Sequence, residues 1–87
     1  MRDIIFVPKA FKEYQQWILS DKKIALRIGD IIKDILRTPF EGIGKPEPLK
    51  YEFAGCWSRR IDREQRLIYS VTDLAIIIYS CHSHYDK

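Results

Sequence analysis

The chain has 87 residues, of which 46% are hydrophobic, so we expect a single folded domain over residues 1–87 rather than a disordered chain. Its 15 Lys and Arg against 12 Asp and Glu give a net charge of +3, which favours a polyanionic or acidic partner. The opening residues hold too short an apolar run for a signal peptide, and no stretch approaches the roughly 20 apolar residues of a membrane span. We therefore expect a cytoplasmic protein with no membrane partner.

A short strand and two helices are predicted in the first half of the chain. Residues 4–6 favour the strand, and Pro8 suits the first turn of the helix that follows. Asp21 offers a cap for the second helix, which should end near Arg37 because Pro39 disfavours helix before it. The apolar residues at helical spacing in the first helix are Val7, Ala10, Phe11, Tyr14, Trp17 and Ile18. The predicted core stripe of the second is Ile24, Ile28, Ile31, Ile32 and Ile35.

Residues 39–48 are predicted to be a loop. Three prolines and two glycines in these ten positions disfavour both helix and strand. The glycines do not have the spacing of a phosphate-binding loop, so we predict no nucleotide cofactor.

From Leu49 onward the apolar period changes to two, which predicts β-strands. These strands cover residues 49–53, 57–61, 66–71 and 75–79, with a turn at 72–74. The pattern predicts an α+β fold in which two N-terminal helices pack on an antiparallel sheet of four to five strands.

The pairing of strands 57–61 and 66–71 carries functional information. Partners whose residue numbers sum to an even value keep apolar residues together, as when Ile61 pairs with Leu67. The opposite face then consists of Ser58, Arg60, Arg66 and Ser70, so two arginines should share one exposed surface. The same register turns Arg59 toward the apolar face, for which the sequence suggests only a strand edge or a snorkelling side chain.

Cys56 and Cys81 are interpreted as packing residues. Neither has metal-ligand spacing, and a reducing cytoplasm argues against a disulfide. We predict no metal site.

RNA cleavage by side chains alone needs a base for the 2′-OH, cations for the phosphorane and an acid for the leaving 5′-oxygen. Glu47, held between two prolines, is the candidate base, and His84 is the candidate acid because imidazole titrates near neutral pH. The candidate phosphate-binding residues are Lys50, Arg60 and Arg66. Each of these residues taken alone is more typical of an ordinary solvated surface or terminal residue, and residue types alone leave the choice for the set open.

The order of the residues is more specific than their types. The string TPFEGIGKPEPLK at residues 38–50, followed by 55–61, 66–69 and His84-Tyr85, closely resembles the Txe/YoeB toxins of the RelE/ParE superfamily. The resemblance covers nearly the whole chain. It implies a type II toxin that enters the ribosomal A site and cleaves mRNA there, leaving a 3′ end with a phosphate or a 2′,3′-cyclic phosphate.

This resemblance also implies roles for the matching residues. Glu47 is similar to the general base of that family, and His84 is similar to its general acid. Arg66 resembles the transition-state stabiliser, and Tyr85 resembles the residue that orients the substrate. The residues that resemble phosphate-positioning groups are Lys50 and Arg60. The resemblance implies no metal and no cofactor.

The implied partners are the 70S ribosome, mRNA and a cognate antitoxin of the YefM or Axe type. Such an antitoxin is acidic, and its disordered segment folds over the basic toxin. Operator DNA would be bound only together with the antitoxin, because neither predicted helix has the basic face of a recognition helix. Whether the free toxin forms a homodimer is left open.

Two other classes of function compete with this interpretation. The ParE branch of the superfamily poisons DNA gyrase on a similar scaffold without the acid–base set, and a plain interaction domain would need no chemistry at all. Glu47 together with His84-Tyr85 argues against a ParE-like binder, and toxicity that persists after substitution of His84 would favour either alternative.

The absence of a metal-ligand cluster from the sequence generates a first prediction. RNA cleavage should survive EDTA when the ribosomes are kept intact by a stabiliser that the chelator does not remove. Primer extension on ribosome-bound mRNA measures this, and loss of cleavage on intact ribosomes would contradict it.

Overall fold

The computed structural model describes residues 1–83 and contains two helices, five strands and one short 3-10 turn within that range. The elements in chain order are β1 (Asp3–Phe6), α1 (Pro8–Ser20), α2 (Lys22–Arg37), β2 (Glu47–Pro48), the 3-10 turn (Tyr51–Phe53), β3 (Trp57–Arg60), β4 (Arg66–Val71) and β5 (Ala75–Ser83).

The predicted helix boundaries are confirmed. Pro8 opens α1, where its missing N–H costs no helical hydrogen bond. Asp21 caps α2, because its carboxylate accepts from the backbone N–H groups of Lys23 and Ile24. The helix ends at Arg37, two residues before Pro39.

The five strands form one sheet in the order β1-β5-β4-β3-β2. The α+β fold with two helices packed on this sheet is confirmed, but the sheet is mixed rather than wholly antiparallel. Strand β1 runs parallel to β5, from Asp3 beside Ala75 to Phe6 beside Ile78. The two helices and three further strands that separate β1 from β5 provide the long connection that a parallel pair requires.

The strand predicted over residues 49–53 is wrong. Tyr51 has a φ of 58°, which breaks the extended conformation, and the Phe53 N–H donates to Lys50 O at 3.1 Å to close the 3-10 turn. The pairing with β3 comes instead from β2, where Glu47 lies opposite Ser58.

The parity predicted for the β3–β4 hairpin is confirmed. Arg60 pairs directly with Arg66, and Arg59 pairs with Leu67. The two residue numbers of each pair add up to 126, which is the even sum that was predicted. The predicted partner of Ile61 is wrong by two residues, because β3 ends at Arg60 and Leu67 is taken by Arg59.

The core lies between the helices and the inner face of the sheet. Four residues of the predicted α2 stripe are buried, and the fifth, Ile24, packs partly buried against them. Ala10 is the buried residue of α1, whereas Phe11 and Ile18, which share the helical apolar spacing, are exposed. The sheet contributes Leu67, Tyr69, Ile76, Ile78 and Cys81.

Helix α1 takes over from β1 along the edge of β5. Strand β1 stops at Phe6, opposite Ile78, while β5 continues to Ser83. Beyond that point the Cys81 N–H donates to Glu13 Oε1 at 2.9 Å, and Trp17 Nε1 donates to Cys81 O at 2.8 Å. The side chains of Glu13 and Trp17 thus bond the backbone N–H and C=O of Cys81, for which β1 provides no partner.

Replacing Trp17 tests whether its hydrogen bond to the Cys81 carbonyl stabilises the end of β5. Trp17→Phe removes the N–H donor and leaves the Cys81 carbonyl without it, so the free energy of unfolding should fall by about 1–3 kcal/mol. Urea unfolding followed by circular dichroism measures the change. The control Gln15→Ala, at an exposed position of α1, should stay within about 0.5 kcal/mol of the parent. Equal effects of the two substitutions would contradict the assignment.

Candidate active site

The outer face of the sheet, turned away from the helices, brings three of the predicted site residues together. Glu47 on β2 pairs with Ser58 on β3. Arg60 lies two residues beyond Ser58 on β3, so the two side chains are on the same face of the sheet. Arg66 on β4 lies directly opposite Arg60. Side chains of directly opposed residues share a face, so the two arginines and the glutamate point to the same side.

The two arginines differ in how many hydrogen bonds their side chains already make within the protein. Arg60 is exposed, and its side chain has no hydrogen bond or ion pair to residues 1–83. Arg66 is half-buried, and its Nη1 donates to the carbonyls of the β3–β4 turn, at 3.1 Å to Asp62 O and 3.1 Å to Gln65 O. Within residues 1–83 these side-chain hydrogen bonds all come from Nη1. The edge formed by Nε and Nη2 can therefore donate two parallel hydrogen bonds to an anion.

Glu47 and Lys50 lie where the loop enters the sheet. Glu47 is half-buried in a strand of two residues, β2, and interacts with other groups of the protein. Lys50 is exposed and lies outside the sheet, immediately before the 3-10 turn. The structure does not join Lys50 to the outer face through any sheet pairing among the described residues.

His84 and Tyr85 lie outside the described residues. The residue before them, Ser83, is the last residue of β5 and pairs with Arg66. His82 precedes Ser83, and its ring stacks on Trp17 with centroids 4.8 Å apart, which gives it a structural contact.

Arg59 is the residue that sequence reasoning did not explain. Its side chain is fully buried, so neither a strand edge nor snorkelling accounts for it. It forms an ion pair with Asp34 of α2 at 2.5 Å, and its Nε donates to the Tyr69 hydroxyl at 3.2 Å. The guanidinium also donates to three loop carbonyls, those of Thr38, Glu41 and Ile43. An unexplained charge on an apolar face was the only signal for this cluster.

Asp34 is correspondingly held as a carboxylate. Hydrogen bonds from Arg37 and Arg59, together with one from the Ile43 N–H, lower the pKa of Asp34 to about 2. Its side chain is only 10% exposed, so water contributes little to stabilising its charge.

The two cysteines are free, as predicted. Burial, reinforced by the nearby Glu13 carboxylate, raises the pKa of Cys81 to about 12, and burial also raises the pKa of Cys56. Neither thiol is therefore activated as a thiolate. Within residues 1–83 no three His, Cys, Asp or Glu side chains cluster as metal ligands would, and no helix there is long and apolar enough to span a membrane.

Comparison with known proteins matches both the sequence and the fold. A profile of the YoeB-like toxins of bacterial type II toxin–antitoxin systems matches residues 6–85. The YoeB toxin of Escherichia coli O6:H1 is 50% identical over 82 residues, which are 94% of this chain and 98% of that toxin. The YoeB dimer structure from Staphylococcus aureus aligns with a TM-score of 0.92 at 46% identity, covering 97% of this chain and 98% of that one.

A second Staphylococcus aureus structure, a heterotetrameric YoeB–YefM toxin–antitoxin complex, aligns with a TM-score of 0.89 at 45% identity, covering 98% of this chain and 99% of that one. The fold is therefore that of small bacterial toxins of the RelE/ParE type. Within that class, this chain belongs to the family of YoeB-like toxins of type II toxin–antitoxin systems.

The low pKa of Asp34 generates a prediction for acid stability. The carboxyl titrates near 2 in the folded chain and near its ordinary 3.8 when unfolded, so its charge stabilises the fold above about pH 4, and this contribution is lost as the pH falls through 2. The free-energy difference between the parent and Asp34→Asn should therefore be constant above about pH 4 and shrink between pH 4 and 2.

Urea unfolding at a series of pH values measures this difference. Glu13, whose pKa also lies below its ordinary value, is present in both proteins and cancels in the comparison. A difference that stays constant down to pH 2 would contradict the assigned role of Asp34.

Proposed function

We propose that this toxin is a cytoplasmic, ribosome-dependent endoribonuclease that cleaves mRNA in the ribosomal A site by acid–base catalysis with its own side chains. The observation that carries the proposal is the direct pairing of Arg60 with Arg66 on an outer sheet face that also carries Glu47. Two guanidinium groups side by side repel each other, and an anion between them relieves that repulsion. A carboxylate on the same face supplies the base that phosphodiester cleavage needs.

The chemistry assigns one step to each group. Glu47 accepts the proton of a 2′-OH, and the 2′-oxygen then attacks the adjacent phosphorus. Arg66 stabilises the charge of the phosphorane, while Arg60 and Lys50 position the phosphates. His84 donates a proton to the 5′-oxygen as the P–O5′ bond breaks, which leaves a 2′,3′-cyclic phosphate and a 5′-OH. Tyr85 orients the substrate beside His84.

The exposure of Arg60 on the outer face supports a requirement for the ribosome. In-line attack needs the RNA held in one geometry, and an exposed arginine side chain provides little of that orientation by itself. A ribosome that presents the mRNA in its A site would supply this orientation. Free RNA should therefore be a poor substrate.

We further propose that an acidic antitoxin of the YefM type neutralises this chain. The Staphylococcus aureus relatives are described as a YoeB–YefM complex and as a YoeB dimer. The net charge of +3 and the exposed arginine suit an acidic segment that folds on binding. We propose that operator DNA is bound only by the complex of toxin and antitoxin. By analogy with the YoeB dimer, the free toxin is proposed to form a homodimer.

Substitution of the proposed catalytic residues tests the activity. Glu47→Gln and His84→Gln should each lower the single-turnover rate of mRNA cleavage on ribosomes by about 10²–10⁴-fold, because each removes one proton-transfer group. Arg66→Ala should lower the rate because the phosphorane loses its cation. Primer extension maps the cuts, which should fall within translated codons in frame with the ribosome.

Arg63→Ala is the matched control for Arg66→Ala. Arg63 is an exposed arginine on the β3–β4 turn, outside the paired strands, so its loss removes the same charge without removing a proposed phosphate contact and should leave the rate within about twofold. Cleavage by His84→Gln at the parental rate would refute the assignment of the acid. Growth arrest by the parent without any cuts would instead favour a non-enzymatic toxin of the ParE type.

A further inference from the structure

Arg59 has no part in the proposed chemistry, although it directly precedes Arg60. We infer that Arg59 and Asp34 are positioning residues: together they fix the backbone of residues 38–46, and this segment in turn fixes the place of Glu47. The inference rests on the proposed function, in which Glu47 is the base. It adds two residues on which the reaction depends without their touching the RNA.

Arg59 bonds the loop at several points. Its Nη1 donates to Ile43 O at 3.0 Å, and its Nη2 donates to Thr38 O at 2.7 Å and to Glu41 O at 2.9 Å. Three carbonyls within six residues are thereby directed at one buried group. The planar guanidinium holds these donors in a fixed fork, so the loop is bonded in one conformation.

Asp34 holds the same loop as Arg59. Its Oδ2 accepts from the Ile43 N–H at 2.9 Å as well as from Arg59. Gly42, with a φ of +123°, lies so close that a Cβ on it would overlap the Asp34 carboxylate. The loop is therefore fitted to the ion pair at a position where only glycine is accommodated.

The loop leads directly into the strand that carries Glu47. Strand β2 has only two residues, so sheet pairing alone gives Glu47 little support. Just before it, Gly44 O accepts from the Arg60 N–H at 2.6 Å, and Lys45 has a φ of 53°, which is unfavourable for a residue with a Cβ. A segment with such a conformation keeps it only when its surroundings impose it. Arg59 and Asp34 supply most of the buried side-chain bonds that hold this segment, and the Tyr69 hydroxyl adds one to Pro39 O at 2.8 Å.

The expected consequence is a loss of rate rather than of binding. A base displaced by about 1 Å can cost on the order of 10²-fold in rate, while the phosphate contacts of the arginines remain. Arg59→Lys retains the charge, but one ammonium group cannot reach three loop carbonyls, Asp34 and the Tyr69 hydroxyl together. Its single-turnover rate should fall by about tenfold or more, with the half-saturating ribosome concentration within about twofold of the parental value.

A double-mutant cycle separates positioning from general damage to the fold. If Arg59 acts through Glu47, then Arg59→Lys should lower the rate by less than about threefold when Glu47→Gln is already present. Rates are expressed per folded molecule, with the folded fraction taken from circular dichroism at the assay temperature. Full additivity of the two substitutions would overturn the inference, as would a parental rate for folded Arg59→Lys.

Two further variants complete the experiment. Arg37→Gln removes an exposed partner of the same Asp34 carboxylate that makes no described hydrogen bond to residues 38–46, and it should keep the parental rate. If Arg59→Lys does not fold, Gly42→Ala takes its place in the cycle, because its Cβ displaces the carboxylate without removing a charge. An additive effect of Gly42→Ala with Glu47→Gln would then overturn the inference.

Failure of the proposed function has a different signature. If the parent protein produces no cuts, the assignment of the active site fails. Hydrogen exchange of the Ile43 amide still measures the hold of Arg59 on the loop, because that N–H donates to Asp34. Unchanged protection of this amide in Arg59→Lys would overturn the inference independently of any activity.

Discussion

The buried charge of Arg59 is the constraint on which the arrangement of this molecule depends. Removing a guanidinium from water costs several kcal/mol unless a counterion and hydrogen-bond acceptors replace the water. Here the replacements come from α2, the loop at residues 38–46 and β4, which supply Asp34, three carbonyls and the Tyr69 hydroxyl. Elements distant in sequence must therefore assemble around one side chain, and a missing acceptor would leave the charge unpaired.

The alternation of a strand explains how one short segment serves both the core and the surface. On β3, Arg59 points inward to Asp34, while Arg60 points outward and pairs with Arg66. The inner arginine is satisfied by the protein itself, whereas the side chain of the outer one is open to a ligand. Two adjacent residues of the same type thus have opposite physical situations, and fixing the first determines where the second lies.

The features that could be predicted from the sequence are those that depend on residues close together in the chain. The cap at Asp21, the end of α2 and the hairpin parity follow from residues close together in the chain, and with the parity came the shared face of Arg60 and Arg66. The parallel partner of β1 and the role of Arg59 could not be predicted, because their partners lie far away in sequence, 25 residues in the case of Asp34. The 3-10 turn was missed because Tyr51 adopts a positive φ that apolar alternation does not reveal.

The helices contact the inner face of the sheet, yet their side chains hold segments at both margins of the proposed active site. Asp34 of α2 bonds the loop that leads to Glu47, and Glu13 and Trp17 of α1 bond Cys81 near the end of β5. In both places sheet pairing is short or one-sided, since β2 has two residues and β1 stops opposite Ile78. Support from behind leaves the outer face uncovered by the helices, and the proposed binding of ribosome-held mRNA to that face would need such access.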